Sequence, residues 1–218
     1  MKASIIIGTR GSNLALKQTE IVAEEIQKKR PEKKIIIKKI QTKGDILINT
    51  STQKLTDKGF FVSEIQEQLI QGKIDLAVHS LKDLPTQKNN NIIVAGVLKR
   101  EEVFDVLISR EGKTISELKD RSIIATSSPR RTYQLLKINP TFKIKEIRGN
   151  IETRINKMYN GYSDAIILAK AGINRLNLTQ HISHHFKTSE ILPAPGQGAI
   201  AIESRKNNLE LNNIIDLI

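Results

Sequence analysis

Polar segments with chemically active side chains follow four of the predicted strands. They carry hydroxyls, arginines, a histidine and an aspartate, and they comprise Gly8–Ser12, His79–Pro85, Thr126–Arg131 and Arg148–Asn150, with Arg154 one turn into the next helix. Open α/β sheets bind ligands where their strands end, and several of these segments also begin a helix. We therefore expect these segments to line a ligand site.

The segment Thr126–Arg131 has the features of an anion site. Ser128 is a natural N-cap, and Pro129 suits the first position of the helix that follows. Free backbone N–H groups at a helix N-terminus attract anions, and hydroxyls and arginines add further donors. The planar fork of arginine suits carboxylates especially. The sequence thus predicts a ligand with several carboxylates or phosphates.

A single carboxylate, Asp83, stands among these cations. It lies beside Lys82 in a loop closed by Pro85. In a basic site such a carboxylate stabilises a cationic or N–H-bearing part of the ligand. The alternative is that Asp83 caps a helix or pairs with Lys82.

Composition narrows the class of protein. The 218 residues carry a net charge of +12 and contain no cysteine, which excludes disulfides, thiolate metal sites and cysteine nucleophiles. The charge suggests nucleic acid, but aromatic residues make up only 4% and no nucleic-acid motif is present. His181, His184 and His185 suggest a metal site or a solvated loop, and we favour the loop. Short apolar runs and the absence of a signal-peptide pattern predict a cytoplasmic protein that does not cross a membrane.

Strand and helix patterns alternate along the chain and predict an α/β fold with two lobes. A strand is expected over Ile74–Val78, and helices are expected over 13–29, 60–71, 129–138, 152–159 and 169–176, and from about Asn208. Crossings at 99–102 and 193–198 divide lobe 1 (1–98 plus 197–218) from lobe 2 (99–196). Two crossings make a double hinge with a cleft between the lobes, and Gly196-Gln197-Gly198 is interpreted as a hinge turn.

These segments, in their order and at their intervals, closely resemble the porphobilinogen deaminase (hydroxymethylbilane synthase) family over essentially the whole chain. The motifs that carry the resemblance are Gly8–Ser12, Thr42–Asp45, Asp57–Phe61, His79–Pro85, Gly96–Glu101, Thr126–Arg131, Arg148–Asn150, Asp164–Ala169 and Leu192–Gly198. The resemblance implies two lobes like those of periplasmic binding proteins. It also implies a transferase of haem and porphyrin biosynthesis that joins four porphobilinogen units, with loss of ammonia, into hydroxymethylbilane.

The resemblance further implies roles for individual residues. Asp83 would be catalytic: it would hold pyrrole N–H groups and stabilise the cation left when ammonia departs. Lys58 and Phe61 would belong to a loop over the site. Acetate and propionate groups of the substrate and of a dipyrromethane cofactor would be bound by Arg10, Ser12, Lys82, Ser128, Arg130, Arg131, Arg148 and Arg154. Gln197 and Gly198 would line the hinge side of the cleft, and the remaining residues that contact substrate or cofactor would be Ser80, Thr126, Ser127, Gly149 and Asn150.

Two departures from the family pattern stand out. Pro129 replaces a leucine, which the first position of a helix tolerates. A third domain, whose cysteine holds the cofactor, is expected to be absent: lost, encoded on a separate polypeptide that would then be a partner, or located beyond these residues. The expected partners are otherwise porphobilinogen and polypyrrole intermediates, with no nucleic acid, no metal and a monomeric state. Alternatives to the enzyme are a binding module for a polycarboxylate tetrapyrrole precursor and, on charge alone, a nucleic-acid binder.

Overall fold

A computed structural model describes residues 3–42, 44–45, 62–87 and 89–218. In chain order its main elements are β1 (Ser4–Arg10), α1 (Asn13–Lys29), β2 (Lys34–Ile40), α2 (Ser63–Ile70), β3 (Leu76–Ser80), β4 (Ile92–Val97), β5 (Asp105–Ser109), β6 (Ile123–Ala125), α3 (Pro129–Ile138), β7 (Lys143–Lys145), α4 (Ile151–Lys157), β8 (Ala165–Ala169), α5 (Lys170–Arg175), β9 (His184–His185), β10 (Ile200–Arg205) and α6 (Leu209–Ile215). The predicted alternation of strands and helices is confirmed.

The chain forms two compact units. Unit 1 comprises Met1–Arg100 and Ala199–Ile218, and unit 2 comprises Glu101–Gly198. The sequence places both boundaries two residues earlier than the structure does. Among the described residues, no helix is long and apolar enough to cross a membrane.

Unit 1 is built on a five-stranded sheet in the order β2-β1-β3-β10-β4. Strands β2, β1 and β3 are parallel, and β10 runs antiparallel to both β3 and β4. One face packs Val78 and Ile202 against Val22 and Ile26 of α1 and against α6. The other face packs against α2. Helices on both faces of a largely parallel sheet define a doubly wound unit.

Unit 2 repeats this architecture with the strand order β7-β6-β8-β5-β9. The strands β7, β6 and β8 are parallel, and β5 runs antiparallel to β8 and β9. Ile166 and Leu168 face α4 and α5, while Ile124 and Ile167 face α3. Two similar units joined by two crossings agree with the predicted two-lobe α/β fold.

Local signals explain where the long helices begin and end. The Ser12 side chain accepts a hydrogen bond from the Ala15 N–H, so it caps α1. Pro129 occupies the first turn of α3, and that helix ends before Asn139, which precedes a proline. Helices α1 and α3 therefore have the bounds that the sequence predicts.

The predicted solvated loop around the histidines is wrong at His184 and His185. These residues form the edge strand β9, paired with Leu107 and Val106 of β5. A strand of two residues has no periodicity that a sequence pattern can reveal. Only its pairing with β5 makes it a strand.

Candidate functional site

Candidate residues of unit 1 lie at one edge of its sheet. Strands β1 and β3 are parallel neighbours, with Gly8 opposite Ala77. Because parallel strands end at the same edge, Arg10 and Ser12 emerge next to the segment that starts at Ser80. Arg10, Ser12 and the segment from Ser80 thus leave the sheet at one edge, and their roles at a ligand site stay predictions.

Arg10 forms an internal ion pair at this edge. Its Nε and Nη2 donate to Oδ1 of Asp45 at 3.1 and 2.5 Å. Burial acts to raise the pKa of Asp45, but hydrogen bonds from Arg10 and Thr42 outweigh it and hold that pKa below its ordinary value. Asp45 is therefore an ionised partner that orients the Arg10 guanidinium.

Asp83 closes a short 3₁₀ turn, Leu81–Asp83, that follows β3 directly. Its side chain is exposed, and among the described residues it has no hydrogen-bond or ion-pair partner. The alternatives of a helix cap or a pair with Lys82 are therefore not observed. An exposed, unpaired carboxylate is available to a cation or to an N–H group of a ligand.

Candidate residues of unit 2 follow the adjacent parallel strands β6 and β7. Ser127 joins the two segments: its Oγ donates to the Ile147 carbonyl at 2.8 Å and accepts from the Ile147 N–H at 3.1 Å. Thr126 is buried, and its Oγ1 accepts from the Ser128 N–H. Ser127 and Thr126 hold the loop, while the Ser128 side chain, at the N-cap of α3, makes no capping bond.

A buried carboxylate, Asp105, gathers three of the predicted binding residues. Arg131 Nη2 lies 2.6 Å from its Oδ1, Arg130 Nη1 lies 2.7 Å from its Oδ2, and Gln197 Nε2 donates to Oδ1 at 3.0 Å. Burial acts to raise the pKa of Asp105, but Arg131 and then Arg130 hold it below its ordinary value. The expectation of a single carboxylate among the cations is thus wrong, since Asp45 and Asp105 also lie there.

The two arginines next to Asp105 differ in the N–H donors that they keep for a ligand. Arg131 is buried, and Nη1 and Nη2 donate to Ile167 and Asp105. Arg130 is partly exposed and contacts Asp105 and the Leu192 carbonyl through Nη1 alone. Since a guanidinium has five N–H donors, Arg130 keeps Nε and Nη2 for another acceptor.

The loop from Arg148 to Arg154 presents a further cation. Asn150 caps α4 by accepting from Thr153, and Arg154 Nε donates to the Gly149 carbonyl at 2.8 Å. Gly149 has a φ of 119°, which favours glycine. In the part of the chain that the structure describes, the half-buried Arg148 guanidinium has no partner, so it is the donor in this loop that remains available.

Gly198 lies where the two crossing segments of unit 2 meet. Its φ is 91°, and a Cβ there would stand 2.4 Å from the Glu101 carbonyl oxygen. Its own carbonyl accepts from Arg175 Nη2 at 2.7 Å and from the Glu101 N–H. Only glycine fits this position.

Three side chains that bind predicted site residues were not themselves predicted from the sequence: Asp45, Asp105 and Arg175. Asp105 could have been predicted, because a carboxylate within a buried strand must find cationic partners. The burial of Arg175, which lowers its pKa, follows only from the fold. Lys58 and Phe61 lie outside the described residues.

Carboxylate recognition fits the groups that stay available in unit 2. They are the Arg148 guanidinium, the free donors of Arg130, the Ser128 hydroxyl and the first N–H groups of α3. A dipyrromethane with acetate and propionate side chains matches this donor set. None of the 218 residues is cysteine, so these residues supply no thiol for a covalent link.

Comparison with known proteins points to one family. A family model described as "Porphobilinogen deaminase, dipyromethane cofactor binding domain" matches residues 5–213. Porphobilinogen deaminase of Clostridioides difficile (strain 630) is 49% identical over 214 residues, which cover 98% of this chain and 71% of that protein. The porphobilinogen deaminase of Chlorobaculum parvum is 42% identical over 218 residues, which cover 100% of this chain and 70% of that protein.

Solved structures of low sequence identity share the fold. The methionine-binding protein MetQ superimposes with a TM-score of 0.59 at 12% identity, over 99% of this chain and 89% of that one. The VFT2 domain of Bordetella pertussis BvgS gives a TM-score of 0.57 at 14% identity, over 99% and 85% of the two chains. These similarities concern the fold alone, which is that of periplasmic binding proteins.

Proposed function

Because this chain belongs to the porphobilinogen deaminase family, we propose that Asp83 is its catalytic carboxylate and that the arginines of unit 2 bind substrate carboxylates. The family's activity is hydroxymethylbilane synthesis: a transferase reaction of tetrapyrrole biosynthesis that joins porphobilinogen units with loss of ammonia. Dipyrromethane is the cofactor of the matched domain. The cytoplasmic location, the monomeric state and the further partners stay predictions.

The unpaired Asp83 carboxylate is the observation that carries this proposal. As ammonia leaves porphobilinogen, positive charge develops on the pyrrole and its methylene carbon. A fixed carboxylate stabilises that charge and accepts hydrogen bonds from the pyrrole N–H. Asp83 is exposed and has no partner among the described residues, so it needs to break no bond before doing this.

The binding residues divide into two groups by their contacts. Arg148, Arg130 and Ser128 face the ligand carboxylates, since each keeps free donors. The remaining proposed residues shape the surface or orient these donors. They are Arg10, Ser12, Ser80, Lys82, Thr126, Ser127, Arg131, Gly149, Asn150, Arg154, Gln197 and Gly198, and the loop residues Lys58 and Phe61 are proposed on the resemblance alone.

The same donors suit the cofactor. Arg148, Arg130 and Ser128 would hold the acetate and propionate groups of dipyrromethane through charge-assisted hydrogen bonds. When bound, this group supplies the pyrrole carbon to which the first substrate unit is joined.

The proposal is tested by Asp83→Asn. Ammonia release and uroporphyrinogen formation are followed from porphobilinogen in the presence of a preformed bilane primer. We expect the rate to fall by about 100-fold or more, because one electrostatic contact to the transition state is lost. The thermal midpoint should not change, since Asp83 has no partner in the described structure.

Asp216→Asn is the matched control, because Asp216 is also an exposed aspartate of unit 1. It should retain the full rate. An Asp83→Asn variant with the rate of the unmodified protein would remove Asp83 from the proposed role.

A further inference from the structure

A buried contact between His79 and Glu203 joins β3 to β10. The His79 Nε2 and Glu203 Oε2 atoms are 3.1 Å apart, and the side chains are only 4% and 6% exposed. His79 pairs with Ala201 and Ala77 pairs with Glu203 across the two antiparallel strands. The two side chains are therefore diagonal neighbours on one face of the sheet.

This contact is the polar neighbour of both facing atoms. Among the described residues, neither the Nε2 nor the Oε2 atom forms a hydrogen bond, so their 3.1 Å approach is the polar contact that each makes. A buried polar group without a partner is costly, so separating the two side chains is unfavourable. The second oxygen of Glu203 accepts from Gln66 Nε2 at 2.8 Å, so the pair is also tied to α2.

The opposite face of the sheet holds the same strand end through a second polar contact. Gln18 of α1 donates through Nε2 to the Ser80 Oγ at 2.9 Å. Directly after it, the Leu81 N–H donates to the Ala199 carbonyl at 3.0 Å. The end of β3 is thus fixed to α1 on one side, to α2 on the other and to the chain before β10.

These anchors stand immediately before Asp83. The Asp83 side chain has no partner among the described residues, so within that part of the chain its position follows from the backbone of the Leu81–Asp83 turn. That turn continues β3 without a linker, so any displacement of His79 or Ser80 moves the carboxylate. A shift of about 1 Å at a catalytic group costs on the order of 100-fold in rate.

We infer that the buried His79–Glu203 pair, together with Gln66, is a positioning element for Asp83, an inference that rests on the proposed role of Asp83. The pair does not touch the reacting atoms. It holds the strand from which the carboxylate projects.

The test compares Glu203→Ala with Glu203→Gln. Alanine removes both contacts, whereas glutamine keeps the shape and places polar atoms opposite His79 and Gln66. Amide hydrogen exchange is measured at Leu81 and Leu84, whose N–H groups close the turn by donating to Ala199 and Leu81. We expect Glu203→Ala to speed exchange at both amides by at least about tenfold, and Glu203→Gln to stay within about threefold.

Turnover is measured on the same variants. Glu203→Ala should lower kcat by about tenfold or more with little change in KM, because the substrate-binding donors are untouched while the carboxylate is misplaced. Glu203→Gln should restore kcat to within about threefold.

Asp75→Asn is the matched control for stability. Asp75 is a buried carboxylate just before the other end of β3, where it accepts from the Ile6 N–H and lies 3.5 Å from Arg205. The variant should destabilise unit 1 without faster exchange at Leu81 and Leu84 than elsewhere in the sheet.

The positioning inference is wrong if Glu203→Ala speeds exchange in the turn no more than Asp75→Asn does, or if it lowers kcat no more than Asp75→Asn does. A fully active Asp83→Asn variant would instead overturn the proposed role of Asp83, and the exchange data would tell the two failures apart.

Discussion

Replacing Asp105 with asparagine removes a fully buried negative charge that two arginines share. Asp105 is 0% exposed, the Arg131 side chain is 8% exposed and the Arg130 side chain is 23% exposed. Asparagine keeps the volume and one acceptor oxygen, so the main loss is the charge. Arg131 is then left buried with the carboxylate that pairs with it among the described residues neutralised.

The size of the effect follows from the burial of each pair. Leaving a buried charge without its partner costs about 3 to 5 kcal/mol. The more exposed Arg130 contact adds at most about 1 kcal/mol. Because asparagine still accepts one hydrogen bond, we expect the free energy of unfolding to fall by about 3 to 4 kcal/mol. This is a large part of the stability of a typical domain, which is about 5 to 15 kcal/mol.

Tyrosine fluorescence measures this loss in unit 2 alone. The protein has no tryptophan, and its three tyrosines, Tyr133, Tyr159 and Tyr162, all belong to unit 2. With a urea m-value of about 2 kcal/mol/M, the unfolding midpoint should fall by about 1.5 to 2 M. Glu111→Gln, which removes an exposed ion pair with Lys113 in the same unit, should leave the midpoint unchanged.

The pH dependence provides a second check. The pKa of Asp105 is lower in the folded protein than in the unfolded chain, where it is about 3.9. Its contribution to stability is therefore present above about pH 4 and is lost as the pH falls through the folded value. The difference between the unmodified protein and Asp105→Asn should shrink as the pH drops below about 4. A loss under about 1 kcal/mol at pH 7, or a difference that grows in acid, would show that Asp105 does not stabilise unit 2 through its charge.

Three further substitutions test the glycine and the two serines of the site. Gly198→Ala should lower the free energy of unfolding by about 2 kcal/mol or more, because residue 198 has a left-handed backbone conformation and the new side chain would collide with a backbone carbonyl. The control in thermal unfolding is Gly11→Ala, since a Cβ at Gly11 has no atom within 4 Å. Ser127→Ala should cost about 1 to 3 kcal/mol in urea unfolding because it breaks both hydrogen bonds to Ile147. The Ser128 hydroxyl makes no such bonds in the described structure, so Ser128→Ala should weaken carboxylate binding without destabilising unit 2. Equal losses of unfolding free energy for the two serine variants would contradict this division.

The long elements could be predicted because their signals are local. Helix α1 has an N-cap serine and apolar residues at helical spacing, and α3 has a proline in its first turn. The start of β3 is predicted less accurately than the bounds of these helices. The sequence predicts Ile74–Val78, but the strand is Leu76–Ser80, since the Ile74 carbonyl accepts from the Arg205 side chain instead. A distant side chain decided that boundary.

The candidate site, too, could be predicted only in part. The residue types in Ser80–Asp83 and Thr126–Arg131 are enough to predict a basic site for carboxylates with one reactive aspartate. They do not reveal that Arg10 and Arg131 are already engaged by Asp45 and Asp105. Those carboxylates are separated from their arginines by 35 and 26 residues. Such pairs form only when segments that are distant in sequence become neighbours in the fold.

The alternation of strands and helices, the basic clusters at strand ends and the resemblance to porphobilinogen deaminases could all be read from the residues in order. These features depend on periodicity, capping and motif order, all of which act within a few residues. Which charged groups remain available for a ligand became clear from the three-dimensional fold. Asp83, Arg148 and part of Arg130 keep free polar groups among the described residues, whereas Arg10 and Arg131 are paired. The physical reason is burial: a charge enclosed by the fold requires a partner, and only the fold specifies which residue lies within reach.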